Sequence, residues 1–169
     1  MNGKILVESE EGVGSCFSFI ADFDTVEVPQ KIGAEAIHST QFLGNLEGPV
    51  RNILLVEDDV SCQILIKRLL QNNKIDVQVI NDGKVALQFI GNKRYDLIIL
   101  DIQLPEISGL DILKSIRKEE MNSQVPVVAL TAYALKDDRE FFMKMGFDEY
   151  VAKPIHLEKF RALLLKYIS

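Results

Sequence analysis

Asp101 follows the apolar run Leu97-Ile98-Ile99-Leu100 and opens the segment DIQLPEISG. Four apolar residues ending in a charge read as a buried parallel strand with a carboxylate at its C-terminal tip, where open α/β sheets place their sites. Other strand tips carry complementary groups. The run Ile53 to Val56 ends in Glu57-Asp58-Asp59, a later one ends in Thr131 beside the small Ala132, and a last one leads into Lys153-Pro154.

Carboxylates gathered on one sheet edge repel unless a cation sits among them. Lys153 supplies one positive charge. A hard divalent ion is the natural second, and Mg²⁺, which keeps several waters and needs only one or two carboxylates, suits an open cleft. Beside such an ion Asp101 can act as a nucleophile toward phosphorus and form an aspartyl phosphate. Phosphoryl transfer asks a protein mainly for positioning and charge neutralisation. Lys153 would neutralise phosphoryl oxygens, the Thr131 hydroxyl would donate to one of them, and Pro154 would bias Lys153 toward an extended backbone.

The elements that position these groups show in the hydrophobic rhythm. From Arg51 onward, short apolar runs (Ile53 to Val56, Val77 to Ile80, Leu97 to Leu100, Val125 to Leu130, Glu149 to Ala152) alternate with amphipathic stretches. That is βαβ repetition, hence a doubly wound parallel sheet of five strands with five helices on its two faces. Ile64, Leu65 and Leu69 fall at helical spacing, as do Leu157, Phe160, Leu163, Leu164 and Ile168. Asp82 is placed to cap a helix and Gly146 to end one. Phe141-Phe142-Met143 sweeps about 200° of a helix, so one face cannot bury all three. Core packing is expected for Phe142 and Met145, with Phe141 or Met143 as interface candidates.

Residues 1 to 24 differ: KILVE and SCFSFIADF flank Glu10-Glu11-Gly12-Val13-Gly14, which reads as a β-hairpin. Gly12 and Gly14 lack the following Lys-Ser/Thr of a phosphate-binding loop, so a tight turn is expected there. Residues 25 to 50, with Pro29, Gly33, Gly44, Gly48 and Pro49, have linker composition.

With 169 residues and 47% hydrophobic composition, the chain can bury one full core plus an appendage. A formal charge of −6 without a basic run argues against nucleic acid as a partner. Cys16 and Cys62 are far apart and show neither disulfide-framework nor zinc spacing, which fits reduced thiols in the cytoplasm. Membrane contact is not expected, since no apolar stretch nears the roughly 20 residues that span a bilayer. His38, in the linker, and His156, at a helix start, read as solvated or structural.

The segments ILLVEDD, DIQLPEISG, VVALTA and GFDEYVAKP, in this order and spacing, resemble the receiver domain of two-component response regulators from about Arg51 to Ser169. The resemblance implies a flavodoxin-like sheet in the order 2-1-3-4-5. It implies Asp101 as phosphoacceptor, with Mg²⁺ held by Glu57, Asp58, Asp101 and the Gln103 backbone carbonyl. Thr131 would be the switch hydroxyl, Lys153 the phosphate-contacting lysine and Tyr150 the rotating aromatic. Gln103 and Tyr133 would tune hydrolysis of the acyl phosphate, and the Lys153-Pro154 bond would be cis. Glu57 stands where Asp is commoner and Leu104 where Met is usual.

The pattern Gly12, Gly14, Ser15, Phe17 is similar to the closing hairpin of histidine-kinase ATP-binding domains. Followed by a receiver, that is the order of a hybrid histidine kinase, with a membrane anchor of the whole protein left open. The implied partners are a histidine kinase core, a histidine phosphotransfer protein or both, and a homodimer is open. No kinase activity is expected from this segment, only its own phosphorylation and slow autodephosphorylation. The rivals are a Mg²⁺-dependent phosphohydrolase of the haloacid dehalogenase type and a receiver used only for docking. The phosphohydrolase needs an acid two residues after the nucleophile, where Gln103 stands. The intact acidic and lysine positions speak against the docking-only form.

Overall fold

The computed structural model describes residues 3–10, 12, 14–21, 42–132 and 138–168. The chain divides into two compact units, Met1–Ala36 and Ile37–Ser169.

In the first unit, β1 (Gly3–Glu10) and β2 (Gly14–Ala21) pair antiparallel from Gly3↔Ala21 to Glu10↔Gly14. The turn depends on glycine, with Gly12 at φ 81° and Gly14 at φ 132°, where a side chain would be strained.

The second unit runs β3 (Arg51–Val56), α1 (Val60–Leu69), β4 (Ile75–Ile80), α2 (Gly83–Ile90), β5 (Leu97–Asp101), α3 (Gly109–Lys118), β6 (Val127–Thr131), α4 (Asp138–Met145), β7 (Glu149–Ala152) and α5 (Leu157–Ile168). The five parallel strands lie in the order β4-β3-β5-β6-β7, which is the expected 2-1-3-4-5. Such a sheet needs cover on both faces, and the buried residues form two clusters accordingly. One contains Leu54, Val56, Ile98, Leu100, Ile112 and Ile116 among others. The other includes Ile53, Leu55, Leu97, Ile99, Leu69 and Phe160. Alternate residues of a strand point to opposite faces, and Leu97 through Leu100 serve both clusters in turn.

Local signals close the helices where expected. Asp82 Oδ1 accepts from the amides of Lys84 at 2.7 Å and Val85 at 3.1 Å, capping α2. Gly146, at φ 100°, ends α4. Three departures from the sequence reading have a local physical reason. First, β6 starts at Val127 rather than Val125, because Pro126 has no amide to donate and the Val125 amide turns back to the Asn122 carbonyl at 3.1 Å. Second, in α1 Ile64 is half exposed, while Ile66 and Leu70 join Leu69 in the core. Third, Met145 is 46% exposed and Met143 packs on the core beside buried Phe142. The chain turns at Gly146 and delivers Phe147 inward, and Phe147 contributes the apolar contact assigned to Met145.

The stretch read as linker ends on the core. Leu43 is buried, Arg161 Nε donates to the Phe42 carbonyl, and Asn72 Nδ2 donates to the Gly44 carbonyl at 3.1 Å. Among the described residues no helix is long and apolar enough to cross a membrane.

Candidate phosphoryl-acceptor site

Parallel pairing of β3, β5, β6 and β7 aligns their C-terminal ends. Asp101 is opposite Leu130, Thr131 is opposite Ala152, and the Lys153 amide donates to the Thr131 carbonyl at 2.7 Å. Residues from four separate strands thus meet on one edge, as an open α/β sheet requires.

Glu57, Asp58 and Asp101 each place a carboxylate oxygen within 4.8 Å of the others. Glu57 is fully buried, Asp101 nearly so, and Asp58 is exposed. Lys153 Nζ reaches between the two buried ones, 2.6 Å from Asp101 Oδ2 and 2.9 and 2.7 Å from the two Glu57 oxygens. The Lys153-Pro154 bond is cis, as expected. The second Asp101 oxygen, Oδ1, accepts from the Gln103 amide at 2.9 Å. Both oxygens of the Asp101 carboxylate are therefore held.

Electrostatics follow from this packing. Burial pushes the Glu57 carboxyl above the usual range, and the hydrogen bond from Lys153 pulls it back only in part. Burial alone would lower the Lys153 ammonium, but hydrogen bonds to Asp101 and Glu57 outweigh it and raise the group, so lysine keeps its charge. Three carboxylates facing one ammonium leave excess negative charge on oxygen ligands. That donor set fits a hard cation, and the 4.8 Å spread is close to the roughly 4 Å between opposite ligands of Mg²⁺.

Several supporting residues carry weaker signals in the sequence. Asp59, third of the acidic run, caps α1 by accepting from the Cys62 amide at 2.6 Å. Gln63 Nε2 donates to the Glu57 carbonyl at 2.6 Å, and the Cys62 thiol is half buried in the same turn, where it feels the Glu57 carboxylate. Burial and that carboxylate push the thiol up to about 12. Their signal was position alone: five and six residues after Glu57, in the first turns of a helix that starts at the same strand tip.

Thr131 is buried at its strand end. Gln103 is exposed, and no acid stands at its position. Tyr150 lies opposite Ala129, half buried, with its ring centroid 5.8 Å from that of Phe142. His156 is exposed, whereas Tyr133 and His38 lie outside the described residues.

The chain is similar along almost its whole length to the aerobic respiration control sensor protein ArcB of Escherichia coli. The two are 35% identical over 168 residues, covering 99% of this chain and 21% of that protein. The polar-differentiation response regulator DivK of Brucella anthropi is 32% identical over 119 residues, 70% of this chain and 97% of its own. Among solved structures, the receiver domain of a sensor histidine kinase from Pseudomonas aeruginosa superposes with a TM-score of 0.63. It is 35% identical, over 70% of this chain and 98% of that one, and holds a magnesium ion coordinated in its active site cleft. The family model described as the response regulator receiver domain matches residues 53–165, and the chain belongs to that family.

Proposed function

We propose that Asp101 accepts a phosphoryl group from a phosphohistidine of a histidine kinase core or a histidine phosphotransfer protein, and that the phosphorylated chain signals by a shift in conformation. The observation that carries this reading is the placement of Lys153 Nζ within 2.7 Å of both Asp101 and Glu57, which puts nucleophile, acidic pocket and counter-charge in one place. An Asp101 oxygen attacks phosphorus, the phosphorus–nitrogen bond breaks, and the imidazole nitrogen takes the electron pair and then a proton. Lys153 follows the charge from carboxylate to phosphoryl oxygens. The Gln103 amide, already directed at Oδ1, orients the acceptor.

Glu57, Asp58, Asp101 and the Gln103 carbonyl would hold Mg²⁺, which when bound neutralises charge on the transferring group. Thr131 donates its hydroxyl to a phosphoryl oxygen, and Tyr150, against Phe142, registers that movement on the neighbouring surface. Gln103, with Tyr133, sets how long the acyl phosphate survives water. The Gly12, Gly14, Ser15, Phe17 pattern ahead of a receiver supports residues 1–24 as the end of a kinase ATP-binding domain, residues 25–50 as its connection to the receiver at 51–169, and a hybrid histidine kinase acting on the cytoplasmic side as the parent, and the similarity to the sensor protein ArcB runs through the hairpin as well.

Intact mass after incubation with Mg²⁺ and acetyl phosphate tests the reading. One phosphoryl group on the wild type and none on Asp101→Asn is the expected result. An unmodified wild type, or equal labelling of the variant, sinks it.

A further inference from the structure

Two glycines flank the segment between β5 and α3, and neither has room for a side chain. A Cβ on Gly83, the first residue of α2, would meet Ile107 Cγ2 at 2.2 Å and Ile112 Cδ1 at 2.9 Å. A Cβ on Gly109, the first residue of α3, would meet the Asp101 carbonyl oxygen at 2.2 Å, Ile102 Cα at 2.8 Å and the Asp101 carbonyl carbon at 3.0 Å. The nearest clashes at Gly83 are with side chains. Those at Gly109 are all with the backbone of the acceptor and its neighbour.

The peptide after Asp101 is held from two sides. The Gly109 amide donates to the Ile102 carbonyl at 3.0 Å, and the Ile102 amide donates to the Leu130 carbonyl at 3.1 Å. Ser108 caps α3, with its Oγ accepting from the Leu110 amide at 3.2 Å, and Ile112, Leu113 and Ile116 anchor the helix in the core. The first turn of α3 therefore presses on Asp101 from a fixed base. Above that peptide the Asp101 carboxylate spans the Gln103 amide and Lys153 Nζ, at 2.9 and 2.6 Å.

We infer that Gly109 is a positioning residue for phosphoryl acceptance: its bare α-carbon lets α3 lie against the Asp101 carbonyl, which fixes the backbone that aims the carboxylate. The inference rests on Asp101 as the acceptor. A carbon and a carbonyl oxygen in ordinary contact stand about 3.3–3.6 Å apart, so a methyl group here displaces the acceptor backbone by about 1 Å. A misplacement of that size costs on the order of a hundredfold in a reaction that depends on alignment.

The test is the time course of labelling by acetyl phosphate at saturating Mg²⁺, followed by intact mass for wild type, Gly109→Ala and Gly83→Ala. The initial rate is divided by the folded fraction, read from urea unfolding of each variant. A protein that is merely less stable keeps its initial rate per folded molecule, and a misaimed acceptor loses it. Gly109→Ala is expected to lower the initial rate per folded molecule by about ten- to a hundredfold, and Gly83→Ala by no more than about twofold. A wild-type initial rate per folded molecule for Gly109→Ala, or an equal loss in both variants, overturns the inference while labelling of the wild type leaves the Asp101 reading standing. Failure of the wild type to label removes that reading itself. Should Gly109→Ala not fold, Ser108→Ala decides, because it loosens the same helix turn without a clash. A slower initial rate per folded molecule supports the inference, and an unchanged one overturns it.

Discussion

The two sheets of this chain are built from similar residues and treat them in opposite ways. In the hairpin, Ile5 is 69% exposed and Phe17 is 74% exposed, although Ile5, Val7 and Phe17 share one face by their register. In the five-stranded sheet, Ile53, Leu55 and Ile99 are completely buried. Alternation of apolar residues specifies a strand in both. Burial needs a second layer, which helices supply on both faces of the parallel sheet, and a two-stranded hairpin is marginal by itself. A strand pattern therefore reports conformation, and its thermodynamic value depends on what packs against it.

The cysteines test this contrast most steeply, since each region holds one. Cys62 is half buried, and burial with the Glu57 carboxylate pushes its thiol from 9.0 up to about 12. A raised thiol pKa means less thiolate at any pH below it, on the order of a thousandfold less for three units. Iodoacetamide at pH 8, followed by peptide mapping, should modify exposed Cys16 within minutes and leave Cys62 almost untouched, with the Cys62 rate rising about tenfold per pH unit. Comparable rates at the two sites would show that the α1 turn does not shield its thiol.

Core truncation probes the same difference as stability. Ile99→Ala should cost about 2–5 kcal/mol in urea unfolding, because it leaves a cavity between sheet and helices. Ile5→Ala, at a position already in water, should stay within about 0.5 kcal/mol of wild type. A large loss at Ile5 would mean that the hairpin face is covered in solution.

The smallest effect concerns the acidic edge, which the hairpin lacks. At Mg²⁺ ten times its dissociation constant, the receiver should gain about 1.4 kcal/mol of stability. A thermal melt of the whole chain should move upward across the titration, and Glu57→Gln with Asp58→Asn should abolish the movement. A melting temperature indifferent to magnesium would argue against the metal site.

The order of elements was legible because hydrophobic period and punctuation are local. Five apolar runs marked the strands, Asp82 and Gly146 marked helix ends, and the charges after Val56 and Leu100 marked the tips. The residues of the candidate site were legible for the same reason, since a parallel sheet puts every strand's C-terminal end on one edge. Helix faces were less so. The period of α1 and α4 announces an apolar stripe, but whether Ile64 or Ile66, Met145 or Met143 turns inward depends on where the neighbouring strands and helices leave space. Cys62 carried no sequence signal of its shifted thiol, because that shift comes from burial and from Glu57, and both need the folded strand beside the helix.

By itself the sequence determined the alternation, the caps, the turn at Gly12 and the identity of the groups at the strand tips, all of which follow from residue type and near-neighbour spacing. Only the tertiary structure decided that Lys153 lies between Glu57 and Asp101, that Gly109 rests on the Asp101 carbonyl, and that Ile53 and Ile99 are buried where Ile5 and Phe17 are exposed. Each of these depends on distances between residues remote in the chain or on which surfaces find cover, and packing alone sets both.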